Sequence, residues 1–253
     1  MVGAGPGIAF DGMPPEVLAS RLGVAQCILE ERVTSTLDVV HQLARDGAPD
    51  GTVVLAEEQA AGRGRHGRQW LSAPHAGILL GYLKRPARAP ESGVTALRVG
   101  MALRSSLLPL GVEGWIKWPN DLMVCDRKLA GVLCEARQSD GTAPWIAIGI
   151  GLNVRGPLRP EIARQAVSLD ELLPEVTRID VLERLAPLLR HLPDTNAMNQ
   201  DELRDYARCD WLLGRQLSRP VAGTARGVAA DGALLVETLD GVQRVMGGSV
   251  VTA

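Results

Sequence analysis

The chain has 253 residues, 46% hydrophobic and 22% charged, with a net charge of −2. That is enough for one large domain or one domain plus a small one, too apolar for disorder, and too acidic for a bulk grip on nucleic acid, so any basic function must be local. No run of 18 apolar residues and no basic-then-apolar leader occurs. The scattered Cys27, Cys125, Cys134 and Cys209 read as small core residues in a reducing cytoplasm, not as a disulfide scaffold or zinc site.

Residues 1–15 carry Gly and Pro and are expected to be loose, with a short helix over 16–24; residues 1–25 together form an N-terminal arm. "STLDVVHQLARDG" predicts a helix capped by Ser35 or Thr36, with Leu37, Val40, Leu43 and Ala44 on one face and Gly47 as the stop. "TVVLAEEQ" (52–59) is a strand entering the polar loop "AAGRGRHGRQW", and "AGILLGYL" (76–83) is another. Residues 92–111 form an amphipathic helix with Leu97, Met101 and Leu108 inward. "GWIKW" is a strand broken by Pro119, and "PND" turns the chain. "KLAGVLCEA" (128–136) and "PWIAIGIGLNV" (144–154) are strands whose glycines suggest a close approach to the backbone. Ser168 and Glu171 have capping-box spacing, and helices follow at 177–192 and 200–213. From Arg215 short runs alternate with Gly turns, as in a small antiparallel β module of about forty residues. The division is a domain over 1–210 and a module over 211–253.

Four polar constellations could carry chemistry. In the Gly/Arg loop, glycine-exposed N–H groups and the forks of Arg63, Arg65 and Arg68 suit a polyanion, and with no acid between them their repulsion should keep the empty loop mobile. A solvated surface loop is the plain alternative; an RG-type nucleic-acid contact is another. No P-loop spacing occurs. Trp70 is either a loop anchor or a stacking surface for a purine. In "KWPNDL", Lys117, Asn120 and Asp121 bring charge and hydrogen bonds to a strand end, or simply make a turn. Lys128 opens an apolar strand, where it is a point charge for an anion or a solvated strand end, and Gly131 would let a ligand lie against that strand. Gly149 and Gly151 leave one strand face bare, and Asn153 can donate and accept as an adenine edge requires, or the segment is simply a glycine-rich packing strand. His66 lies in the loop; His41, His75 and His191 read as surface or cap residues. No nucleophile elbow is present.

Taken in order, "GRGRHGRQW", "KWPNDL", "KLAGVLCE" and "GIGLNV" resemble the biotin protein ligase family over residues 33–154, and more loosely through the C-terminal module. The resemblance implies an α+β fold: a mixed β-sheet catalytic domain flanked by helices, of the class II aminoacyl-tRNA synthetase/biotin ligase type, with a small C-terminal SH3-like β-barrel. It implies ATP with Mg2+, whose ligands it does not name, and biotin as substrate. Biotinyl-5′-AMP forms first, and a lysine of a biotin carboxyl carrier domain of an acyl-CoA carboxylase then takes the biotinyl group. Joining two anions needs cationic screening and fixed geometry more than an enzyme nucleophile.

By that resemblance Arg63, Lys117, Asp121 and Lys128 are the catalytic residues: Arg63 and Lys128 neutralise carboxylate and α-phosphate, Lys117 stabilises charge, and Asp121 orients the incoming lysine or accepts its proton. Ser35, Thr36, Gln59, Gly62, Arg63, Gly64, Arg65, Lys128 and Gly131 meet biotin. Arg63, Arg65, Arg68, Trp70, Asn120 and Asn153 meet the nucleotide, and the loop closes over the adenylate. The chain departs from the pattern at Leu37, where the family usually has Asn, at His66, where Arg is frequent, and in the tail "MGGSVVTA". Residues 1–32 leave no room for a winged helix-turn-helix, so a cytoplasmic, ligase-only monomer or homodimer without DNA-binding or membrane duty is expected. A lipoate or octanoate ligase or transferase is the nearest enzymatic rival, an RG-loop nucleic-acid binder the rival from another class, and a biotin-binding regulator without turnover a third.

Overall fold

The computed structural model of the protein describes residues 8–87, 92–138 and 144–253. In chain order the first part comprises α1 (Pro15–Leu22), β1 (Gln26–Val33), α2 (Thr36–Arg45), β2 (Thr52–Gln59), β3 (Gly77–Lys84), α3 (Ser92–Leu107), β4 (Trp115–Lys117), β5 (Asp121–Val124), β6 (Arg127–Arg137), β7 (Trp145–Asn153), α4 (Arg178–Arg190) and α5 (Gln200–Ala207). Its strands form one seven-stranded sheet in the order β1-β2-β3-β7-β6-β5-β4. Only β1 and β2 run parallel, and α2 supplies the crossover that a parallel pair requires.

Each sheet face is covered. On one side α1, α3 and α4 close the main aliphatic core, which includes Leu18, Leu80, Leu97, Ile148 and Leu182. On the other side α2 covers a smaller cluster of Leu37, Val40, Ala44, Val54, Leu83 and Trp145. The first turn of α2 is capped as expected: Ser35 Oγ accepts from Leu37 N at 3.4 Å. This helix sits unusually close to the sheet because Gly81 lies beneath it; a Cβ there would stand 2.6 Å from Val40 Cγ2.

Five expectations are corrected. Residues 8–25 are no loose arm: Phe10 and Leu18 are buried, and Arg178 stacks on Phe10 at 3.8 Å while pairing with Asp11 and Glu57. Residues 1–7 lie outside the described residues. His41 is buried rather than a surface residue, and Cys125 is exposed in the β5–β6 turn rather than in the core. The long helix α3 ends at Leu107, so Leu108 opens a 3-10 turn and is exposed. The last helix stops at Ala207 because residues 209–211 run extended along β4: Ile116 N donates to Cys209 O at 2.7 Å and Trp211 N to Ile116 O at 3.0 Å. That segment satisfies backbone groups an edge strand would otherwise leave open.

The C-terminal strands are β8 (Gln216–Arg219), β9 (Gly223–Val228), β10 (Leu234–Thr238), β11 (Gly241–Val245) and β12 (Val251–Thr252). They form a separate antiparallel sheet, β11-β10-β9-β8-β12, whose pairing ends at β11 and β12 rather than closing into a barrel. Its apolar side joins the main core through Leu217, Ala225, Leu234 and Val236. Trp118 of the "KWPND" step donates its indole N–H to Gly232 O at 2.8 Å and so bolts the turn before β10 to the β4 edge of the first sheet. Among the described residues no helix is long and apolar enough to cross a membrane.

Candidate active site

The face of the large sheet that carries α2 has a floor of glycine. Gly81 pairs with Gly149, and Gly131 with Gly151, so bare backbone runs across β3, β7 and β6. The first turn of α2 covers half of it: a Cβ on Gly149 would meet Leu37 Cγ at 2.9 Å. Trp70 covers the rest. A Cβ on Gly151 would stand 2.3 Å from its ring, and one on Gly131 at 3.1 Å. Only glycine permits an indole to lie flat on the strands at that distance. Beside Trp70 opens a cavity of about 190 Å³.

The Gly/Arg loop forms one wall. Gly64 N donates to Arg68 O at 2.7 Å and Trp70 N to Gly62 O at 2.9 Å, closing a hairpin tipped by a 3-10 turn over Arg65–Gly67. His66 takes φ 54°, a left-handed conformation that His tolerates better than most residues. Repulsion among the arginines is met by partners from elsewhere in the chain. Arg63 faces Asp38 at 3.0 Å and Glu135 at 3.4 Å, and Arg68 donates to Ser249 Oγ at 3.2 Å. Arg65 is desolvated, which lowers its pKa, while Asp121 opposes that shift. Arg65, then, is the loop cation whose charge Asp121 supports.

The opposite wall is the "KWPND" step and the start of β6. Lys128 Nζ lies 2.7 Å from Asp121 Oδ1 and 5.4 Å over the Trp70 ring. Lys117 stands 4.8 Å over Trp211. Desolvation pulls the Lys117 pKa down; Asp121 opposes this, and Lys128, Arg215 and Arg68 add to it. Asn120 is fixed by donating to Val132 O at 2.8 Å. The polar end of the cavity is set by Gln59, whose Oε1 accepts from Thr36 N at 2.9 Å and Thr36 Oγ1 at 3.2 Å. That leaves its amide N–H groups to donate, next to the hydroxyls of Ser35 and Thr36.

Of the residues singled out in the sequence, Ser35, Thr36, Gln59, Arg63, Gly64, Arg65, Arg68, Trp70, Lys117, Asn120, Asp121, Lys128 and Gly131 all line this cavity. Two do not. Gly62 lies at the base of the loop, where a Cβ would meet Trp70 O at 2.7 Å. Asn153 is buried and turned away, donating to Val167 O at 3.2 Å. The tail supplies wall residues in Gly248, Ser249 and Val250. Sequence reading missed Asp38, Glu135 and Trp211, whose roles depend on contacts between distant elements; an acid following the apolar run of β6 was the one available signal.

Comparison with known proteins bears on this arrangement. Residues 29–153 match the Biotin/lipoate A/B protein ligase family, and residues 214–252 the Biotin protein ligase C terminal domain. A biotin--[acetyl-CoA-carboxylase] ligase of Mycobacterium tuberculosis is 30% identical over 240 residues, covering 88% of this chain and 87% of its own. The chain belongs to the biotin protein ligase family. The bifunctional ligase/repressor BirA of Bacillus subtilis is 26% identical over 264 residues, 94% of this chain and 76% of that relative. Among solved structures, the biotin protein ligase of Aquifex aeolicus in complex with biotin and ATP superposes with a TM-score of 0.73 at 24% identity, over 90% of this chain and 99% of that one. The two-sheet architecture is therefore the family's fold, and the motif-bearing segments fall inside the matched regions.

Proposed function

We propose that the protein is an ATP-dependent biotin ligase whose site is the cavity over the glycine floor. What carries the reading is the convergence there of Lys117, Lys128 and Arg65 around Asp121, beside the Ser35–Thr36–Gln59 polar end. A flat bicyclic ureide with an apolar tail and a carboxylate fits that layout: donors and acceptors at one end, Leu37 and the Trp70 ring along the middle, cations at the other. One oxygen of the biotin carboxylate attacks the α-phosphorus of ATP, the bond to the bridging β-phosphate oxygen breaks, and pyrophosphate leaves. The amine of a carrier lysine, having lost a proton, then attacks the acyl carbon; an amide forms and AMP leaves.

In this reading Lys128 and Arg65 neutralise the carboxylate and α-phosphate as they meet, with Lys117 offsetting charge from the same wall as Lys128. Arg63 holds the loop wall, and Asp121 orients the incoming amine. Trp70 offers a ring for the purine. Among the described residues no cluster of three metal-ligating side chains occurs, so magnesium would come on the phosphates of ATP, its common mode, with Asp121 the carboxylate at hand. The acceptor would be a biotin carboxyl carrier domain of an acyl-CoA carboxylase, the site cytoplasmic, the domain boundary near residue 210, and the protein a monomer or homodimer.

The test is direct. Purified protein, ATP, magnesium, biotin and an acceptor domain are incubated, and the acceptor is weighed by mass spectrometry. A biotin-sized gain that requires ATP is expected. A gain with lipoate and none with biotin would reassign the substrate, and no gain with either would remove the ligase reading.

A further inference from the structure

Beneath α2 a buried polar chain leads to the loop from the far side of the cavity. The indole N–H of Trp145, at the start of β7, donates to His41 Nδ1 at 2.9 Å. An indole can only donate, so Nδ1 carries no proton and the neutral ring's proton sits on Nε2. That Nε2–H donates to Glu135 Oε2 at 2.8 Å. The other carboxylate oxygen of Glu135 lies 3.4 Å from Arg63, the first arginine of the loop. Trp145 is 2% exposed and His41 7%, although an apolar side chain in place of His41 would satisfy that packing at no polar cost.

Arg63 has a second acid, Asp38, at 3.0 Å, but the side chain of Asp38 is 48% exposed and that of Glu135 only 19%. Of the two, Glu135 is therefore the carboxylate whose position the protein fixes, and what fixes it is the imidazole. Arg137, at 3.9 Å, is the only other cation paired with it among the described residues. We propose that Trp145, His41 and Glu135 form a positioning relay that fixes Arg63 and with it the loop wall over residues 62–70. None of the three touches a ligand in the reading above. Their part is to hold shut the hairpin that shields a reactive adenylate, and on that reading of the site the second arm of the test depends.

Two measurements on the full chain test it. The first needs no activity: limited trypsin digestion of the unliganded protein, following cleavage after Arg65 and Arg68. Glu135→Gln and His41→Leu are expected to be cut roughly tenfold faster than wild type, the first by losing the half-buried ion pair to Arg63 and the second by losing one hydrogen bond to a charged carboxylate. His41→Gln, whose amide can reach Glu135 as Nε2–H does, is expected to restore most of the protection. In an Arg63→Ala background Glu135→Gln is expected to add nothing. The second arm follows escape of biotinyl-adenylate into solution without acceptor. The same variants are expected to leak about tenfold faster, with the Michaelis constant for biotin little changed. Variants that melt with the wild type yet keep its cleavage rate would overturn the relay, as would effects of Glu135→Gln and Arg63→Ala that multiply. If wild type forms no adenylate, the ligase reading falls and the digestion arm still decides the relay.

Discussion

Asp210 offers the sharpest quantitative test of the fold. It lies in the extended segment along β4, is 5% exposed, and accepts from Leu212 N at 2.8 Å. Its second carboxylate oxygen is buried without a hydrogen-bond partner, as is the hydroxyl of nearby Tyr206. Burial raises its pKa from 3.8 to about 6. A raised folded-state value means the folded protein binds the proton more tightly than the unfolded chain. The associated stability is fully present below the unfolded value and is lost as pH rises through about 6. A shift of about two units corresponds to roughly 3 kcal/mol. Asp210→Asn keeps an acceptor for Leu212 N and carries no charge at any pH. Urea unfolding of both proteins should therefore give a stability difference in favour of the variant that is largest, on the order of 3 kcal/mol, at pH 7–8 and shrinks towards pH 4. A difference that stays constant from pH 5 to pH 8 would refute the argument that an ionised carboxylate is what the fold tolerates poorly there.

Three further outcomes bear on the site. Gly151→Ala puts a methyl where the Trp70 ring lies, so Trp70 must leave the floor; adenylate formation should be lost while the melting temperature falls only a few degrees, and an active variant would show that the ring need not lie flat. Lys128→Ala removes the cation 2.7 Å from Asp121 and should slow pyrophosphate release by about 100-fold or more at unchanged fold; a wild-type rate would take Lys128 out of the chemistry. Trp211→Leu removes the ring under Lys117 and should lower kcat/KM by up to roughly thirtyfold, with Trp211→Phe retaining part of the activity; equal loss in both would assign Trp211 to packing alone.

Most helices and the inner strands were legible because their signals are local. The cap at Ser35, the capping box at Ser168 and the aliphatic runs of β3 and β7 each declare themselves within a dozen residues. β1 and β5 were not. β1 is an edge strand held by one parallel partner twenty-six residues on in register, Gln26 opposite Thr52, and its exposed half reads Glu30-Glu31-Arg32. β5 has only four residues and follows directly on the turn that hides it. The five tryptophans show the same divide. Composition marks each as unusual in a chain with one Phe, but nothing local says that Trp70 floors a cavity, Trp118 bolts on the second sheet, Trp145 orients a histidine, Trp211 stacks under a lysine, and Trp115 is 40% exposed.

The electrostatics of the site follow from that non-local assembly. A net charge of −2 conceals a cavity lined by Arg63, Arg65, Arg68, Lys117 and Lys128, because the acids that balance them stand on other elements. Asp121 takes Lys128, and Asp38 and Glu135 take Arg63. Lys117 and Arg65 share what Asp121 can still offer: both are desolvated, and both have their pKa pulled down. An incoming anion reverses that strain. It replaces lost water with opposite charge, at a place where low dielectric makes the exchange worth most. A ligand carrying a carboxylate and a phosphate should accordingly bind with marked salt dependence, even though the protein as a whole has no positive field to attract it.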